Sequence, residues 1–350
     1  MHPFVVWIML GQGAMAFQSH NHQIKMGGGG FGKGSKRIPA VAVPSSVPKQ
    51  PSAGAGELPE DAFAQFPPLT AQQQGSLRKA GAGGEGLPQE VINQIRERHG
   101  FEHFDETMFP GIRLLHADPV VFEVENFFTP QECNAYVAMS TMKQSGRRKG
   151  DLEPMELQSA TTNSQFQQQR TSTTWFHHYS AAPELVAKAS LLLGVDDYCK
   201  WEEPQTVRYR PGERFNWHLD ALPPSECGAS KGGQRTATVL VYLTGLDPSA
   251  GGATAFRDLG PLRVRPKKGK CLVFFPSFGG EAGSPFDSRV LHAGEVVGKG
   301  SNAKEKYIAQ LWCHKKPYPP SVPEGSSHEA AAEPIVDYVR RFAEERIRPA

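Results

Sequence analysis

The stretch Arg208-Tyr209-Arg210-Pro211-Gly212-Glu213-Arg214-Phe215-Asn216-Trp217-His218-Leu219-Asp220 decides how this chain is read. His218 and Asp220 are two residues apart, and on a strand such residues point to the same face. An imidazole and a carboxylate side by side can chelate a divalent metal. Well downstream, Leu291-His292-Ala293-Gly294-Glu295-Val296-Val297 supplies a third candidate ligand, His292, on another expected strand. Lys306 follows at the start of Lys306-Tyr307-Ile308-Ala309-Gln310-Leu311-Trp312. If that segment is a strand, Lys306, Ile308 and Gln310 share one face, expected to look into a barrel mouth beside the metal. A buried ammonium is costly unless it is paired, and a ligand carboxylate would explain an inward lysine.

Working outward, Thr206 to Tyr209, Thr238 to Leu243, Gly269 to Pro276 and Tyr307 to Cys313 are short apolar runs bounded by Gly, Pro and Ser, the mark of strands. Pro119 to Val124 reads as the first strand of the folded domain. Thr129-Pro130-Gln131-Glu132 is a capping box with proline at the first helical position, so a helix should run to about Met142. Glu184 to Leu193 is apolar at helical spacing. Many short strands after a helical start predict a mostly β, α+β fold. Its core would be an antiparallel jelly roll, or double-stranded β-helix, over about residues 200–316, with helices buttressing one face. Leu87 to His99 reads as a short helix capped by Gly100, and Gly146 to Gln169 as a loop. Pro317 to Ser327 is a linker, and Pro334 to Arg348 an amphipathic helix with Ile335, Tyr338, Val339 and Phe342 on one side.

Two histidines and one carboxylate are the facial triad of non-haem Fe(II) oxygenases, which leaves coordination positions open. The surrounding order resembles the prolyl 4-hydroxylase-like branch of the Fe(II)/2-oxoglutarate dioxygenases. The resemblance rests on Gln205-Thr206-Val207-Arg208-Tyr209, His218-x-Asp220, Arg235 to Thr238, Tyr242-Leu243 and Gly251-Gly252-Ala253-Thr254-Ala255-Phe256. It continues through Pro266-Lys267-Lys268-Gly269, Leu272 to Pro276, His292, Lys306 and Trp312, and covers about Val120 to Pro317. Upstream, Phe127 to Cys133 and Arg170 to Trp175 resemble the family's entry helix and its Arg-x-Ser strand.

The resemblance implies Fe(II) held by His218, Asp220 and His292, with O2 and 2-oxoglutarate as co-substrates and L-ascorbate (vitamin C) keeping the iron reduced. It implies Lys306 on the far carboxylate of 2-oxoglutarate, Tyr209 and Thr254 lining that pocket, and Arg235 and Trp312 near the open side toward substrate. The implied reaction hydroxylates peptidyl proline and converts 2-oxoglutarate to succinate and CO2; the implied partner is a proline-containing peptide or protein. Thr244 stands where the family usually has Asn. The segments Pro223 to Gly233, Gly279 to Ser288 and Gly298 to Glu305 are longer than usual, which leaves the substrate open because loops read it. Two other readings stay in view: a hydroxylase of another residue or a small molecule, and a jelly-roll metal binder without turnover.

Composition narrows the setting. Formal net charge is +2 over 350 residues, which gives no reason to expect a nucleic-acid partner, and no 18-residue apolar run suggests an ordinary membrane span. The five cysteines are scattered without zinc-like spacing, so at most two intramolecular disulfides can form, and Cys133 and Cys271 read as buried thiols. Phe4-Val5-Val6-Trp7-Ile8-Met9-Leu10 followed by Ala14-Met15-Ala16 resembles a signal peptide over residues 1–16. Residues 17–86 are Gly- and Pro-rich, without an acid between Phe17 and Gly56, and are expected to be disordered. Entry into the endoplasmic reticulum and secretory pathway is the first expectation, and a bipartite plastid leader the second. The dioxygenase domain is expected over residues 87–318, then the linker and C-terminal helix over 319–350.

Overall fold

The computed structural model describes residues 86–141, 155–157, 171–224, 226–228, 231–260, 262–279, 286–298, 304–318, 322 and 325–347. The signal-like leader, nearly all of the expected disordered region and most of the Gly146–Gln169 loop lie outside these residues.

The strands are β1 (Ile112–Ala117), β2 (Val120–Val124), β3 (Met155–Leu157), β4 (Thr173–Phe176), β5 (Gln205–Tyr209), β6 (Phe215–His218), β7 (Arg235–Tyr242), β8 (Thr254–Phe256), β9 (Arg263–Val264), β10 (Cys271–Phe274), β11 (His292–Gly294) and β12 (Lys306–His314). They form an eight-stranded sheet in the order β1-β2-β10-β7-β12-β5-β4-β3 and a four-stranded sheet β6-β11-β8-β9. All described pairings are antiparallel. This is the double-sheet jelly roll expected from the sequence.

Alternation along the long strands sorts the core into two layers. Val207, Tyr209, Leu240, Tyr242, Leu272, Phe274 and Ile308 meet Phe256 and Val264 of the smaller sheet between the sheets. Val239, Val241, Val273, Ala309 and Leu311 face the other way, onto the helices. The helices are α1 (Gln89–Asn93, continued by a π-helical turn over Gln94–Arg98), α2 (Pro130–Thr141), α3 (Pro183–Leu193) and α4 (His328–Ile347).

The capping box forms as read: Thr129 N–H donates to the Glu132 carboxylate at 2.7 Å, and Glu132 N–H to the Thr129 hydroxyl at 3.2 Å. Glu132 also pairs with buried Lys188 of α3 at 2.8 Å and accepts a hydrogen bond from Tyr338 of α4. One carboxylate thus ties three helices together.

Three boundaries differ from the sequence reading. The strand at Val120 is second, not first: β1 precedes it and pairs with it, because Arg113 outside and Ile112 and Leu114 inside follow strand alternation. Met155–Leu157 inside the expected loop is β3, paired to β4. α4 starts at His328, before Pro334, as burial of Ala331 on the same face holds the extra turn. All five cysteines are free thiols, and Cys133 and Cys271 are buried.

Candidate active site

β6 and β11 are neighbours, with His292 opposite His218. That pairing closes the gap of more than seventy residues between the two histidines. Asp220 lies just past β6, and its carboxylate approaches both rings: Oδ1 is 3.7 Å from His218 Nε2, and Oδ2 is 3.7 Å from His292 Nε2. One ligand-capable atom from each residue lies within 4.8 Å of the others, and the three residues form the only such group among the described residues.

The rings are oriented by their own backbone. His218 Nδ1 faces the Asn216 carbonyl at 2.7 Å, and His292 Nδ1 the Val290 carbonyl at 3.0 Å. A carbonyl accepts only, so both Nδ1 atoms carry hydrogen and both Nε2 lone pairs are available to a metal. Phe215 stacks on His218 with ring centroids 3.6 Å apart, and Phe274 packs edge-on to His292 at 4.8 Å.

Thr238 Oγ1 donates to Asp220 Oδ2 at 2.8 Å. Burial pushes the Asp220 carboxyl up, but His292, His218, Arg235 and the Thr238 hydrogen bond hold it below the ordinary aspartate range. The donor set is two imidazole Nε2 atoms and an ionised carboxylate, which fits a divalent ion and Fe(II) in particular.

Lys306 opens β12 opposite Tyr209, and its ammonium lies 4.8 Å from the Tyr209 ring and 5.8 Å from that of Tyr242. It is 1 % exposed. No carboxylate stands within ion-pair distance of it among the described residues. Burial drives its pKa down to about 7, against a weak upward pull from Glu295. A cation in this position is short of an anionic partner, which a ligand carboxylate would supply.

Thr244, the residue that departs from the family pattern, braces the start of β12. Its hydroxyl donates to Glu305 C=O at 3.3 Å and accepts from Tyr307 N–H at 2.9 Å. Gly251 and Gly252 both have positive φ, and a Cβ on Gly252 would stand 2.7 Å from Leu246 and 3.6 Å from Lys306 Cδ. Thr254, two residues on, faces the same interior, with its hydroxyl accepting from Tyr242 at 2.8 Å.

Arg235 and Trp312, expected near the open side, are enclosed by the fold. Both are buried. The Arg235 guanidinium donates to the Glu202 carboxylate at 2.5 and 2.8 Å and to the Asp220 backbone carbonyl at 3.2 Å. It also lies 3.8 Å from the Trp312 ring. Glu202 in turn pairs with His314 at 2.6 Å. Arg235 thus braces the metal-ligand segment from behind. Sequence reading missed Glu202 and His314 because their link to Arg235 is wholly tertiary. It placed Thr238 and Tyr242 on the right strand without seeing that their hydroxyls serve the site.

Residues 204–314 match the 2OG-Fe(II) oxygenase superfamily. The chain is similar to a putative prolyl 4-hydroxylase of Acanthamoeba polyphaga mimivirus, 36% identical over 122 residues, covering 33% of this chain and 46% of that protein. It is also similar to prolyl 4-hydroxylase 2 of Arabidopsis thaliana, 26% identical over 232 residues, covering 58% of this chain and 70% of that protein. Among solved structures, the viral collagen prolyl hydroxylase of Paramecium Bursaria Chlorella virus-1 aligns with a TM-score of 0.40 at 23% identity, covering 55% of this chain and 94% of that one.

Proposed function

We propose, from the match of residues 204–314 to the 2OG-Fe(II) oxygenase superfamily, that the chain hydroxylates peptidyl proline while 2-oxoglutarate is converted to succinate and CO2. The observation that carries this reading is the pairing of an iron-type donor set with a buried lysine, Lys306, lacking a carboxylate partner inside the same barrel. A metal binder without turnover would have no use for that ammonium. Proline as the substrate is supported by the similarity to proteins bearing prolyl 4-hydroxylase names.

His218, Asp220 and His292 would hold the iron, and Lys306 the far carboxylate of 2-oxoglutarate. When bound, the ferrous ion supplies O2 activation coupled to decarboxylation of the keto acid. The chain's own residues position and enclose. The Asn216 and Val290 carbonyls fix the two rings, and Thr238 and Arg235 fix Asp220. Phe215, Phe256 and Phe274 keep the metal side apolar. Tyr209 and Tyr242 surround the Lys306 ammonium with ring faces, and Thr254 lines the same pocket. Ascorbate would re-reduce iron oxidised in turnovers without substrate.

The test is incubation with Fe(II), ascorbate, 2-oxoglutarate and proline-rich peptides, reading products one oxygen atom heavier. Asp220→Ala should abolish turnover and metal retention together. An Asp220→Ala variant that still hydroxylates would sink the assignment, and 2-oxoglutarate turnover on small molecules but not peptides would redirect the substrate. For location we propose entry to the secretory pathway, or to a plastid, through residues 1–60. A reporter carrying that segment should leave the cytosol.

A further inference from the structure

Gln205 sits on the inward face of β5, in phase with Val207 and Tyr209, which join the core between the sheets. It is 1 % exposed, and both its Oε1 and its Nε2 are buried without a hydrogen-bond partner. Leaving either end unsatisfied costs stability, so an orphaned carboxamide calls for an explanation. The neighbouring inward positions are polar as well. Gln310 lies directly opposite on β12, and Trp312, two residues further on the same face, has a buried indole N–H that is also unpaired.

This polar row borders the metal-ligand cluster. Gln310 is opposite Leu240 on β7, and Trp312 is opposite Thr238, the residue bonded to Asp220. Gln205 is thus two strands across from that tie, about 10 Å of sheet. Asp220 and His292 are as enclosed as Gln205, at 2 % and 3 % exposure. A peptide with its target proline at the metal ligands would run alongside this row.

The chemistry of the vacant partners selects the ligand. A carboxamide offers one donor end and one acceptor end. 2-Oxoglutarate carries only acceptors when ionised and would leave Oε1 unsatisfied. A residue of an extended peptide offers its N–H and its C=O together on one side of the chain. The amide that precedes a proline has no N–H. A target proline lacks the N–H of this pair, so the residue that follows it is the first on the carboxyl side to offer both.

We propose that Gln205 is a substrate-recognition residue that hydrogen-bonds, through both ends of its carboxamide, the backbone N–H and C=O of the residue that follows the target proline. This rests on the peptidyl-proline reading above. Gln310 and the Trp312 indole flank the contact and extend the polar row along the substrate backbone.

Two measurements test it. Gln205→Leu keeps the side-chain volume and removes the orphaned polar atoms. It should raise the melting temperature of the free protein and raise KM for a proline peptide roughly tenfold, well beyond any change in KM for 2-oxoglutarate. An unaltered peptide KM would overturn the proposal. The second measurement needs no change in folding: a peptide whose N–H after the target proline is replaced by an ester oxygen. The wild-type protein should lose several-fold in kcat/KM on the ester, and Gln205→Leu should show no further loss. An equal ester penalty in both proteins would place the contact elsewhere and overturn the proposal. Absence of any 2-oxoglutarate turnover in the wild type would overturn the functional reading itself, and this proposal with it.

Discussion

Lys306 is the residue on which the oxygenase reading turns. Its ammonium is enclosed by Tyr209 and Tyr242 and has a pKa pushed down by burial to about 7. Removing one partner of a desolvated charge pair costs roughly 3–5 kcal/mol, a factor of hundreds to thousands in affinity. Lys306→Ala should raise KM for 2-oxoglutarate by that order and leave metal content unchanged. Lys306→Arg should be milder, since the charge survives on a fork that fits imperfectly. The same enclosure sets a pH dependence. In the free protein Lys306 loses its proton as pH rises through about 7, whereas a bound carboxylate favours the charged form. Binding of 2-oxoglutarate should therefore take up a proton above pH 7, and its affinity should fall as pH rises beyond that point. Calorimetric titrations in two buffers of different ionisation enthalpy would measure the uptake; identical heats at pH 8 would remove Lys306 from the binding step.

At the scale of elements, the site depends on how β8, β11 and β12 are brought together. The Gly251-Gly252 pair does this by letting backbones approach: a Cβ on Gly251 would stand 2.5 Å from the Val296 carbonyl oxygen, and one on Gly252 2.7 Å from Leu246. Both have φ near +70°, a region that costs L-residues about 1 kcal/mol or more. Gly252→Ala should lower the melting temperature and, by pushing on Leu246 beside Lys306, raise KM for 2-oxoglutarate more than KM for peptide. Equal effects on both constants would mean the strain spreads through the sheet. At this scale the sequence was informative wherever periodicity was clean. The strands at Gln205, Arg235, Cys271 and Lys306 and the capped helix at Pro130 fall where apolar runs and cap residues put them. β1 was missed because one of its inward positions is a polar residue, His116, which is buried and bonded to the Pro119 carbonyl at 2.8 Å. No local pattern distinguishes such a satisfied core histidine from a loop residue.

Over the whole of the described domain, the jelly roll leans on a helical layer that the chemistry does not touch. Ile335 and Phe342 of α4 are buried, Phe342 stacks on Phe109 at 5.8 Å, and Tyr338 reaches Glu132. Each fully buried apolar side chain of this size contributes about 1.5–3 kcal/mol, against a total stability of about 5–15 kcal/mol for a domain. Deleting residues 326–350 should therefore lower the melting temperature sharply, by unfolding measurement, while protein still folded at low temperature keeps its KM for 2-oxoglutarate. Loss of 2-oxoglutarate binding in that folded fraction would show the helix to be part of the site. No helix among the described residues is long and apolar enough to cross a membrane.

The sequence by itself determined the strand periods, the helix cap, the H-x-D pair with its distant histidine, and the inward phase of Lys306. These follow from two-residue alternation and from side-chain chemistry, which are local. Only the tertiary structure decided that His292 lies across from His218, that Arg235 is spent on Glu202 and the Asp220 backbone, and that Gln205 is sealed inside with nothing to bond. Those facts depend on strand order and register, β5 against β12 and β6 against β11, and on which charges burial leaves facing one another. Pairing between segments dozens of residues apart is set by packing of the whole core, so it leaves no mark in any one stretch of sequence.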